Sequence, residues 1–120
     1  MALKINTRTV NDVNVVECTG RIVFGDEAMQ LRENVKALLE SSRAIVINLS
    51  GVSYIDSGGL GTLVGLYTSA RNIGGSIKLA SLNHRVIDLL QVTKLLTVFE
   101  TFPNVEQAAA SFKNQTAGAA

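Results

Sequence analysis

The chain has 120 residues, 47% of them hydrophobic and 18% charged, with a formal net charge of +1. That length suits one domain with a core large enough to need no staples, and the balance is that of a folded globule rather than a disordered chain. A nearly neutral chain without a Lys/Arg run argues against nucleic acid or an anionic membrane as partner, and the single cysteine, Cys18, excludes an intramolecular disulfide and disfavours a thiolate metal site. The first residues show no basic-plus-apolar leader, and no apolar stretch approaches the ~20 residues of a membrane helix. The expectation is a soluble, cytoplasmic protein.

Met1 to Asn6 already looks like a strand, and Leu3 to Arg8 alternates with period two. Asn11-Asp12 supplies a turn, and Val13 to Thr19 is rich in β-branched residues up to Gly20, so the two segments predict a hairpin. Asp26 is placed as the cap of a helix whose stripe is Ala28, Leu31, Val35, Leu38 and Leu39. Ala44 to Leu49 is almost continuously apolar, as in a strand buried on both faces. Ser50 to Asp56 is expected to be a short loop. The next helix carries Leu60, Leu63, Val64, Tyr67 and Arg71, and ends at Gly74-Gly75. Ser76 to Ala80 predicts a strand, and Asn83 caps a short helix with Val86, Ile87 and Leu90. Leu96 to Glu100 is expected to be the last short strand. Asn104 and Gln107 form a capping box for a closing helix through Phe112.

The order β-β-α-β-α-β-α-β-α predicts an α/β fold: a four-to-five-stranded mixed sheet with about four helices packed on it. The domain is placed at residues 1–113, and residues 114–120 are expected to be a mobile tail.

One segment stands apart, Asp56-Ser57-Gly58-Gly59-Leu60-Gly61 at a helix start. The first turn of a helix has N–H groups without intrahelical partners and attracts anions, phosphate included. Gly58, Gly59 and Gly61 leave the backbone bare for a partner's approach. On spacing alone a well-capped helix start is the simpler reading. Thr62 is expected on the exposed side, opposite the apolar stripe. Other chemistry is poorly supported. Val64 stands where a dinucleotide fingerprint needs its third glycine, and no phosphate-loop motif exists. His84, the one histidine, is expected to cover a helix start, Cys18 to be a buried strand residue, and Tyr67 to be core.

Asp56 to Gly61, continued by Leu63, Val64 and Gly65, resembles the helix start of bacterial anti-sigma factor antagonists of the STAS family. Val46 to Ile55 resembles the strand and loop before the phosphorylated serine of that family, Val16 to Ile22 its second strand, Ile73-Gly74-Gly75 its helix exit, and Leu89 to Leu95 its third helix. The resemblance covers nearly the whole chain. It implies a STAS-like single domain that is not an enzyme and that has Ser57 as phosphoacceptor. Its partners would be an ATP-dependent anti-sigma factor serine kinase, bound by the unphosphorylated form so that the sigma factor is released, and a serine phosphatase that restores that form. The partner would contact Asp56, Ser57, Gly58, Gly59, Gly61 and Thr62. The kinase brings ATP and Mg²⁺, so no cofactor belongs to this chain, which is expected to be a monomer or weak dimer. A scaffold or transporter-associated STAS subunit that is never phosphorylated is the alternative. Two positions depart from many relatives: Gly58 replaces a second serine, and Val23 stands where an aspartate follows the second-strand glycine, with Asp26 and Glu27 later.

Overall fold

The structure, a computed structural model, describes residues 3–119, with side chains through Phe112. Met1 and Ala2, expected in the first strand, and Ala120 of the expected tail lie outside the described residues. The elements are β1 (Lys4–Val10), β2 (Val13–Ile22), α1 (Asp26–Leu39), β3 (Ala44–Ile55), α2 (Ser57–Asn72), β4 (Ser76–Ala80), α3 (His84–Val92), β5 (Thr101–Phe102) and α4 (Val105–Ala119).

Five strands form one sheet in the order β1-β2-β3-β4-β5. β1 and β2 pair antiparallel across the Asn11-Asp12 turn, where both residues have positive φ (51° and 67°). The other neighbours pair in parallel. Crossovers of one hand along a sheet that grows in one direction place α1, α2 and α3 on one face. Ile45, Ile47 and Leu49 of β3 point to that face, into a core with Leu31, Val35, Leu63, Leu66 and Leu90. Val46 points the other way, with Val13, Val15 and Ala80, against Val105, Ala108, Ala109 and Phe112 of α4. β3 is thus buried on both sides, as its apolar run requires.

Four expectations change. Ser50 to Ile55 is not a loop; β3 continues through it, paired with β2. Register shifts between Glu17 and Thr19 and between Gly20 and Arg21 insert extra residues in β3, so its alternation breaks and the sequence looks loop-like there. Leu96 to Glu100 is not a strand; β5 is Thr101–Phe102. Leu95, Leu96, Val98 and Phe99 recur at the spacing of a helical turn, and Val98 N–H donates to the Leu95 carbonyl at 3.0 Å. Asp26 does not cap α1; Gly25 occupies that position with φ 108°, and Asp26 opens the first turn. The closing helix does not stop at Phe112; α4 extends through Ala119, across residues expected to be a tail.

Lys78 is the one buried charged residue found among the described residues. It lies on β4, on the α4 side. Its Nζ donates to Ser111 Oγ at 2.7 Å, sits 4.3 Å from the Phe112 ring centroid and lies 3.6 Å from Glu100 Oε1. The stem fills space under α4 while the ammonium stays bonded. Lys78→Ala should therefore lose about 2–4 kcal/mol, whereas Lys78→Met, which keeps the volume, should lose much less. Chemical denaturation of both variants checks this; equal losses would mean that the charge, not the stem, holds α4.

Candidate functional site

β3 is the middle strand, and its carboxyl end delivers Asp56 and Ser57 to the start of α2. In parallel sheets this end of the strands is where sites are built. Asp56 has extended backbone and is the N-cap: its Oδ1 accepts the Gly59 N–H at 2.8 Å. The same carboxylate reaches across to the β2–α1 loop, where the Phe24 N–H lies 3.1 Å from each oxygen. One side chain therefore starts α2 and clamps the neighbouring loop. The Gly59 N–H holds the Asp56 carboxyl below the usual carboxylate range; partial burial opposes this, and the Phe24 N–H adds to it.

Ser57 is the first residue of α2, and it is exposed. Gly58 follows, half-buried under Phe24. A Cβ on Gly58 would lie 2.5 Å from Phe24 Cβ and 3.0 Å from its Cα. The Gly58 departure thus has a physical partner: with the Phe24 backbone clamped here, position 58 has no room for a serine side chain. Gly59 faces the interior, and a Cβ there would overlap the Ile22 carbonyl oxygen. Gly61 is exposed and open around its Cα. Thr62, expected to be exposed, is half-buried; its Oγ1 donates to the Gly58 carbonyl at 3.0 Å, and it lines the seam between α1 and α2. Asp56, Ser57, Gly58, Gly61 and Thr62 come together on one surface, and Gly59 supports it from beneath.

Sequence reasoning missed Phe24. The residue is 81% exposed and lies against Gly58, next in the chain after Ser57. The available signal was a lone aromatic before Gly25 that belongs to neither apolar stripe. Other expected features are in place. Asn83 caps α3 through the Val86 N–H at 3.0 Å, and His84 opens that helix, exposed. Cys18 is buried, which pushes its thiol up to about 12, so it is unreactive at neutral pH. Tyr67 is half-buried and packs edge-on against Phe99, with ring centroids 5.3 Å apart.

The family profile described as the STAS domain matches residues 4–108. The chain belongs to the STAS domain family. Among its relatives, the anti-sigma-B factor antagonist of Bacillus subtilis is 40% identical over 70 residues, which are 58% of this chain and 64% of that relative's length. The crystal structure of an anti-sigma factor antagonist from Mycobacterium paratuberculosis superposes with TM-score 0.79 at 23% identity, over 92% of this STAS domain chain and 93% of the other. The Bacillus cell-fate determinant SpoIIAA in its phosphorylated form superposes with TM-score 0.72 at 17% identity, over 91% and 99%. These two superpositions establish the fold. No described helix is long and apolar enough to cross a membrane.

Asp56→Ala removes both the cap and the Phe24 clamp. It should destabilise the fold by about 1 kcal/mol, a Tm drop of about 4 °C, while Asp56→Asn should keep most of the capping. Because the carboxyl is lowered on folding, its contribution is fully present above the unfolded value near pH ~4 and is lost as pH falls through the folded value. Wild type should therefore lose stability on acidification more than Asp56→Asn does. Melting curves across that window check both statements; parallel curves for the two proteins would remove the carboxylate from the account.

Proposed function

We propose that this STAS domain is an anti-sigma factor antagonist whose switch is phosphorylation of Ser57. The observation that carries the reading is the exposed Ser57 hydroxyl at the first turn of α2, on the surface shared with Phe24, Gly58 and Gly61. In this reading the unmodified chain binds an anti-sigma factor that is also a serine kinase, and so releases the sigma factor. The kinase, using ATP, phosphorylates Ser57 and frees itself, and a serine phosphatase reverses the modification. The chain acts in the cytoplasm by binding rather than catalysis.

The chemistry of the position supports this. A phosphoryl group brings close to two negative charges and three acceptor oxygens. At the N-terminus of α2 the helix dipole favours them by about 0.3–1 kcal/mol. The neighbouring Asp56 carboxylate is already bonded to Gly59 and Phe24, so it opposes the phosphate without being free to leave. The two effects nearly cancel in the isolated domain. A partner packed on the same surface must instead desolvate the phosphate, which costs several kcal/mol.

The test is phosphorylation by the kinase recovered with the wild-type chain from the cells that make it. Incubated with that kinase and ATP, the wild-type chain should gain one phosphoryl group by intact mass, located at Ser57. Ser57→Ala should gain none and still bind the kinase; Ser57→Asp should bind at least tenfold more weakly. An unmodified wild-type chain after such incubation would leave the non-phosphorylated scaffold as the better reading.

A further inference from the structure

We infer that the seam between α1 and α2 receives an acidic segment of the partner, with the Phe24 ring as its anchor. The inference rests on the reading of Ser57 as the switch and names the chemistry of the surface beside it. An open groove of about 420 Å³ begins at Phe24 and Gly58 and runs between the helices, with Arg32 and Lys36 on the α1 wall and Thr62 and Ser69 on the α2 wall. It continues past Lys36 and Ser69 to Glu40 and Ile73.

Charge identifies the occupant. Arg32 and Lys36 are four residues apart, on one face of α1. The ion pairs among the described residues are Arg8–Glu17 and Lys78–Glu100, so neither groove cation has a carboxylate within pairing distance. The α2 wall carries no charge; Glu40, one turn beyond Lys36 at the end of α1, lines the continuation without pairing with it. Two unpaired cations facing an uncharged wall suit a segment that brings carboxylates. At the head of the groove the Phe24 ring projects into solvent from a backbone held by Asp56. An exposed aromatic on a fixed backbone loses little freedom on burial, which is the character of a binding anchor.

The same arrangement gives the switch its sign. Ser57 adjoins Gly58 at the groove head, and a phosphate there lies within a Debye length (~8–10 Å) of carboxylates seated beside it. It would repel the segment that Arg32 and Lys36 attract, with no change in the fold.

The probe is the kinase recovered by the wild-type chain, titrated against four proteins: wild type, Arg32→Glu with Lys36→Glu, Phe24→Ala, and a control with the same charge change outside the groove, Lys4→Glu with Lys94→Glu. All four substituted cations are exposed, so melting curves should stay near wild type. The groove pair should bind at least about thirtyfold more weakly, roughly 2 kcal/mol. Phe24→Ala should lose at least tenfold, the control less than threefold, and salt should weaken wild type far more than the groove pair. If the kinase phosphorylates Ser57 yet binds the groove pair as tightly as the control, the groove inference is wrong and the Ser57 reading stands. If no recovered kinase modifies Ser57, both fall. If light scattering shows a wild-type dimer that the groove pair abolishes, the occupant is a second copy of this chain and the inference is overturned.

Discussion

The Asp56 carboxylate is the contact on which the site depends. It accepts one N–H from its own helix, at Gly59, and one from a loop 32 residues earlier, at Phe24. The first bond starts α2 at Ser57 and so decides that this serine, and not a neighbour, occupies the exposed first turn. The second fixes the β2–α1 loop over Gly58. Two loops that emerge from adjacent parallel strands become one surface. Glycine at 58 and 59 follows from that closeness: Phe24 crowds one and the Ile22 carbonyl the other. Gly61 and Gly65 have no such neighbour, so packing within the chain does not explain their lack of side chains.

This geometry keeps the proposed switch residue, Ser57, apart from the core. The core lies under the sheet face and α4, built from Ile45, Ile47, Leu49 and Val46 of the middle strand and the helices that cover them. Ser57 contributes nothing to it. A charge added at an exposed helix start changes stability by amounts comparable to an ordinary surface substitution. The same charge inside an interface would lose its water. A modification can then act strongly on association and weakly on folding. The half-buried Thr62, bonded to the Gly58 carbonyl, ties the groove wall to the same turn.

Much of the architecture was legible because its signals are local. Helical stripes at Leu31, Val35 and Leu63, the doubly apolar run at Ala44 to Leu49, and the caps at Asn83 and Asn104 each follow from backbone geometry within a few residues. What escaped depends on pairing at a distance. The irregular end of β3 looked like a loop because register shifts against β2 destroy its alternation. The turn at Leu95 to Phe99 looked like a strand because apolar residues there fill the core under α3, not because they pair. Lys78 is invisible as a buried cation until α4 brings Ser111 and Phe112 over it. At the site, Asp56 and Ser57 could be singled out from the helix-start pattern and the family resemblance. Phe24 offered only a lone aromatic outside both stripes, and nothing in the sequence says that a residue 32 positions upstream shares the Asp56 carboxylate.

The central claim is that Ser57 phosphorylation changes an interface and leaves the fold alone. The most direct measurement is titration calorimetry of the unmodified and Ser57-phosphorylated chains against the same anti-sigma kinase, paired with melting curves of both forms. The affinities should differ at least a hundredfold, about 2.7 kcal/mol, and the Tm values should lie within about 4 °C of each other. Equal affinities, or a loss of binding that is matched by a collapse of Tm, would contradict the claim.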